Sequence, residues 1–117
     1  MEIGETLKVG SRAEWRRWLA KHHQDRSEIW LLYNRKMAGG KGGINYEESV
    51  EEALCYGWID GQIKGFDEAL IAGRFTPRRP RGNWSASNIA RVKRLLEEGR
   101  MTDAGLAVVP AELKANL

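Results

Sequence analysis

Between Ser11 and His23 the apolar residues Trp15, Trp18 and Leu19 recur at spacings of three and four, which places them on one helix face. Ser11, three residues ahead of Glu14, forms a capping-box pair, so a helix is predicted near 12–23. The run Ile29-Trp30-Leu31-Leu32-Tyr33 is continuously apolar and rich in aromatics, and predicts a buried strand near 28–35. Asn45 and Glu48 repeat the capping signature for a second helix near 46–56. Tyr46, Val50, Ala53 and Leu54 line its apolar face, Glu47, Glu48, Glu51 and Glu52 fill the polar one, and Gly57 stops it. From Trp58 to Lys64, Ile59, Gly61 and Ile63 alternate with Trp58, Asp60, Gln62 and Lys64, the period-two pattern of a strand with one polar face. Asp67 to Gly73 reads as one helical turn or a tight loop, after which 74–77 returns as a strand beside it. Ile89, Val92, Leu95 and Leu96 form the stripe of a third helix near 87–98, closed by Gly99, and Thr102 caps a further short helix. Strands and helices in this order predict an α+β fold with a small sheet, residues 1–117 making one domain, with 1–10 and 111–117 weakly held.

A chain of 117 residues, 42% hydrophobic and 30% charged, has the composition of a globular domain rather than a disordered one. Its five tryptophans are expected mainly in the core. Cys55 is the single cysteine, so no intrachain disulfide can form. A reducing, cytoplasmic location is therefore expected. The first residues lack the basic and apolar regions of a leader, and no segment has the apolar length of a membrane span, so no membrane partner is expected.

Charge changes the picture more than composition does. From Arg74 to Leu96 seven side chains are basic (Arg74, Arg78, Arg79, Arg81, Arg91, Lys93 and Arg94) and none is acidic, so against a total of +3 the rest of the chain carries −4. Pro77 and Pro80 hold this stretch extended, and Phe75 and Trp84 interleave it. Three readings stay open. The stretch is a solvated surface loop. It clasps a small anionic or phosphorylated ligand, with guanidinium forks from Arg74, Arg78 and Arg79 and hydroxyls from Thr76 and Ser85. Or it grips nucleic acid, with phosphates on Arg78, Arg79, Arg81, Arg91 and Arg94 and bases stacked on Trp84 or Phe75.

Other chemistry is sparse. Asp60 can accept a hydrogen bond from a ligand or act as a base, though Asp60-Gly61 is also a common turn dipeptide. It can also hold one of the arginines and so fix that fork for a ligand. Cys55 ends an apolar helix, where a free thiol behaves as a small hydrophobe. His22 and His23 are adjacent and lack a completing ligand set, so no metal and no cofactor is expected. The glycine-rich run around Lys41 lacks the spacing and the hydroxyl residue of a phosphate loop and reads as a flexible loop, a lid beside a binding site being one use of it.

The runs Ala53-Leu54-Cys55-Tyr56-Gly57-Trp58-Ile59-Asp60-Gly61 and Arg74-Phe75-Thr76-Pro77-Arg78-Arg79-Pro80, then Trp84-Ser85 and Glu98-Gly99-Arg100-Met101-Thr102, closely resemble the bacterial YdeI/OmpD-associated family, also labelled bacteriocin-protection proteins. The resemblance implies a link to envelope stress or bacteriocin protection and supplies no biochemical activity. Its motif positions are Trp58, Asp60, Arg74, Thr76, Arg78, Arg79, Trp84 and Ser85, the residues that the charge argument also selects. Longer members continue into a further helical region, so this chain reads as a short form in which self-association or a partner chain replaces those helices. The leading expectation is a binding module for a small anion, without catalytic residues. The alternatives are a nucleic-acid-binding stress protein and an enzyme acting on an anionic substrate with Asp60 as base.

Overall fold

The computed structural model describes residues 2–35, 43–78 and 84–115. The predicted residues Arg79, Pro80 and Arg81, and most of the glycine-rich loop, lie outside them. The fold is α+β. Its elements run β1 (Thr6–Leu7), α1 (Arg12–His22), β2 (Ile29–Asn34), α2 (Tyr46–Cys55), β3 (Trp58–Gly65), β4 (Leu70–Pro77), α3 (Ala86–Glu97), α4 (Asp103–Ala107) and α5 (Ala111–Lys114).

The predicted caps form. The Ser11 side chain accepts from Glu14 N, Asn45 and Glu48 make a reciprocal capping box, and the Thr102 side chain accepts from Gly105 N. Each satisfies a backbone N–H that the first turn of a helix leaves without a partner.

The strands order as β1-β2-β4-β3, with β1 parallel to β2 and the other pairs antiparallel. β4 begins at Leu70, inside the stretch 67–73 that reads in sequence as a helical turn or tight loop before a strand at 74–77, because Asp67 closes the turn early by accepting from Ala69 N and Leu70 N at 2.8 Å each. β1 carries no periodicity of its own and exists through its pairing of Thr6 with Trp30 and Leu7 with Leu31.

The register separates two faces. Ile29 opposite Phe75 and Tyr33 opposite Ile71 turn toward the helices, where Trp15, Leu19, Val50, Leu54, Trp58, Val92 and Leu95 complete the main core. Trp30, opposite Arg74, and Leu32, opposite Ala72, form a smaller cluster with Ile3 and Leu70 on the other face. Two glycines let the last helices dock. Gly57 has φ +77°, and a Cβ on Gly105 would stand 2.4 Å from the Cys55 carbonyl oxygen.

Two expectations need correction. The acidic face of α2, read as the polar side of the helix, is in part interior: Glu52 is fully buried and Glu51 is 7% exposed, because basic side chains from α1, α3 and the segment after α3 close over them. The strict alternation of β3 also fails. Its register against β4 shifts between Asp60 and Ile63, a bulge that leaves Ile63 51% exposed while Trp58, assigned to the polar side, is buried.

Candidate functional site

The arginine segment begins where β4 ends. Pro77 pairs with Trp58 across the β3–β4 ladder, and Arg78 N donates to the Gly57 carbonyl at 2.8 Å, which fixes the backbone of the next residue. Arg78 is 6% exposed, and its guanidinium carbon stands 4.0 Å from the centroid of the Trp84 ring. Burial lowers the Arg78 pKa, and the nearby charge of Asp60 opposes that shift. The Trp84 ring also lines a narrow apolar crevice with Ile89, Val92, Val109 and Leu113. Its indole N–H is buried and has no hydrogen-bond partner among the described residues.

Asp60 reaches the same corner from β3. The Tyr46 hydroxyl donates to its Oδ2. Tyr46 is itself held in place: its ring lies 5.8 Å from that of Tyr33, and its carbonyl accepts from Ser49 Oγ at 2.6 Å. Because Ser49 Oγ spends its proton there, the Tyr33 hydroxyl is the donor in the 2.6 Å contact between them. The Trp15 indole N–H donates to the Ser49 carbonyl at 3.0 Å and ties this chain into the core. Burial first, and for Tyr46 the Asp60 hydrogen bond next, push both phenols above the ordinary tyrosine range.

Arg91 of α3 completes the surroundings. It makes a bidentate pair with Glu47 at 2.8 and 2.9 Å, donates to Asn88 Oδ1 at 2.8 Å, and feels the charge of Asp60. Tyr46 and Asn88 were not singled out for the site from sequence, and Arg91 entered only in the nucleic-acid reading. Tyr46 and Arg91 read there as a core position and a phosphate contact, and no spacing links 46 or 91 to 60.

The other selected residues lie elsewhere or serve the framework. Arg74 pairs with Glu28, and with Thr76 it lies on the face of the sheet opposite to Asp60. Ser85 caps α3, its Oγ accepting from Asn88 N at 3.1 Å. Trp58 is 1% exposed and donates its indole N–H to the His23 carbonyl at 3.3 Å. The sheet thus brings Asp60, Arg78 and Trp84 together and separates them from Arg74 and Thr76.

Much of the basic stretch is paired in space with carboxylates far away in sequence. Besides Arg74 and Arg91, Arg94 pairs with Glu51, and also with Glu98 only four residues on. A second group surrounds the buried end of α2. Glu52 accepts from Arg12 at 2.6 Å, Arg16 at 2.8 Å and Arg100 at 3.0 Å, and Glu51 accepts from Arg12 at 2.9 Å. Cys55 adjoins this network, and burial raises its thiol pKa despite a hydrogen bond with Arg16. A thiol in that state is a poor nucleophile. Among the described residues, no group of three or more His, Cys, Asp or Glu is placed to hold a metal ion. No helix among them is long and apolar enough to cross a membrane.

Compared with known proteins, residues 7–108 match a family model described as a domain of unknown function (DUF8412). Neither the curated proteins nor the solved structures contain a match to the chain.

Proposed function

Since the chain belongs to the DUF8412 family, whose description carries no activity, we propose from the geometry that it is a binding module for a small anionic or phosphorylated ligand held at Arg78. The observation that carries this reading is the Arg78–Trp84 stack. A guanidinium packed over an indole, its carbon 4.0 Å from the ring centroid, on a side chain only 6% exposed is restricted in orientation, so little rotamer entropy remains to be lost when an anion arrives. Its charge has given up much of its water, and a bound anion offsets that loss. The indole N–H of Trp84 supplies a further donor on the same ring. Among the described residues this reading centres on Arg78 and Trp84, with Asp60 beside them.

The resemblance to YdeI/OmpD-associated proteins belongs to this reading, as does a cytoplasmic location, which rests on the single buried thiol of Cys55. A role in stress or bacteriocin protection would then follow from ligand capture. Nucleic-acid binding is the weaker alternative, because the forks of Arg91 and Arg94 are already engaged by Glu47, Glu51 and Glu98.

Isothermal titration with inorganic phosphate, phosphorylated metabolites and carboxylates tests the site, with Arg78→Ala as the control. Binding to at least one anion in the native chain, weakened at least tenfold in the variant, is expected. Equal affinities in the two proteins would exclude Arg78. Binding to oligonucleotides that falls steeply with salt would favour the nucleic-acid reading.

A further inference from the structure

Resting on the anion site just described, we propose that Asp60 is its second pole, and that the ligand is a small zwitterion: an anionic group for Arg78 joined to an ammonium or similar N–H donor for Asp60. Three features of the Asp60 carboxylate support this assignment.

The first is how firmly it is aimed. Oδ2 takes the Tyr46 hydroxyl, the Tyr46 ring packs against that of Tyr33 at 5.8 Å, and the buried Tyr33 and Ser49 side chains are hydrogen-bonded to each other, with Ser49 Oγ donating to the Tyr46 backbone carbonyl. Holding the Tyr46 ring and the Asp60 carboxylate in this way costs side-chain entropy, and what it fixes is the orientation of one half-buried carboxylate. The second is the local backbone. The β-bulge starts immediately after Asp60, and bulges turn a neighbouring side chain away from the direction that regular pleating would give it.

The third is what does not close on Asp60. Arg78 and Arg91 both lie near enough to feel its charge. Yet Arg91 directs its fork at Glu47 and Asn88, Arg78 is stacked on Trp84, and no ion pair to Asp60 forms among the described residues. Oδ1 accepts no hydrogen bond from those residues, and Asp60 is only half-buried. An oriented carboxylate with an open oxygen beside a buried cation matches the opposite charges of a zwitterion. A simple anion would meet repulsion from the same group.

The test compares α-amino carboxylates and α-amino phosphonates with their des-amino analogues by isothermal titration, in the native chain and in Asp60→Asn. Asparagine keeps the shape of the side chain and an acceptor for Tyr46 while removing the charge, and thermal unfolding confirms that the variant is folded. The native chain is expected to bind the amino compound at least tenfold more tightly than its analogue. Asp60→Asn should abolish that preference while leaving the des-amino anion bound as well as before or better, since one repelling charge is gone.

Loss of affinity for both compounds in Asp60→Asn would overturn the proposal and leave Asp60 as a residue that merely positions Arg78. Equal native affinities for the two compounds, still dependent on Arg78, would overturn the zwitterion and leave the anion site standing. Failure of every compound to bind would overturn both.

Discussion

Arg12, Arg16, Arg94 and Arg100 converge on two carboxylates of α2, whereas Arg78 lies against an aromatic ring at the edge of the sheet. The first group is a clamp. Glu52 is completely buried, and the guanidinium groups around it come from α1 and from the segment after α3, so satisfying that one carboxylate joins elements far apart in sequence. A buried charge is tolerated only when it is paired and hydrogen-bonded, and this network meets that condition. The corner at Arg78 follows a different rule. Its cation is desolvated and oriented by Trp84, and Asp60, the neighbouring carboxylate, is turned toward Tyr46. Residue type does not separate the two groups. What separates them is what the guanidinium rests against, the carboxylates of α2 in one case and the Trp84 ring in the other.

The largest effect that sharpens this contrast is expected at Glu52. Glu52→Gln removes the charge that three arginines share, and urea unfolding should show a loss of about 3 kcal/mol. A loss below about 1 kcal/mol would mean that the clamp is not what joins α1 and the segment after α3 to α2. The corner should be far less sensitive in stability, with Arg78→Ala acting on ligand affinity instead.

Alkaline pH tests the chain of contacts behind Asp60. The phenols of Tyr33 and Tyr46 ionise above their unfolded range, so burying them in neutral form contributes stability that is fully present below about pH 10. It is lost as the pH rises beyond that toward the folded values. Absorbance titration should show these two phenolates appearing later in the folded chain than in urea, with unfolding free energy falling over the same interval. Phenolates appearing at the ordinary pH in both states would remove the buried chain from the argument.

The smallest effect is expected at Arg91. Its pair with Glu47 is largely solvent-exposed, with side chains 27% and 53% accessible, so Arg91→Ala should cost about 1 kcal/mol or less. A cost rivalling that of Glu52→Gln would place Arg91 in the clamp rather than at the rim of the corner.

Several elements were legible in the chain because their causes are local. Ser11, Asn45 and Thr102 cap helices through hydrogen bonds that span three residues, and the stripe Ile89-Val92-Leu95 buries one face whatever lies opposite. Trp84 and Arg78 were visible for a similar reason, being close in sequence around a proline. The acidic face of α2 was misread because burial of Glu51 and Glu52 depends on arginines 36 to 48 residues away. No periodicity records a partner at that distance.

By itself the sequence determined the α+β class, most of the helix limits, the α2 capping box and the wealth of arginine between 74 and 96. These follow from backbone propensity, capping and counting, which act within a few residues. The tertiary structure alone decided which arginines are used up. It paired Arg74 with Glu28, Arg91 with Glu47 and Arg94 with Glu51, put Arg74 and Thr76 on the far face of the sheet from Asp60, and turned β3 at a bulge. Ion pairing and desolvation depend on distances through space of a few ångströms, and strand register with helix packing sets those distances.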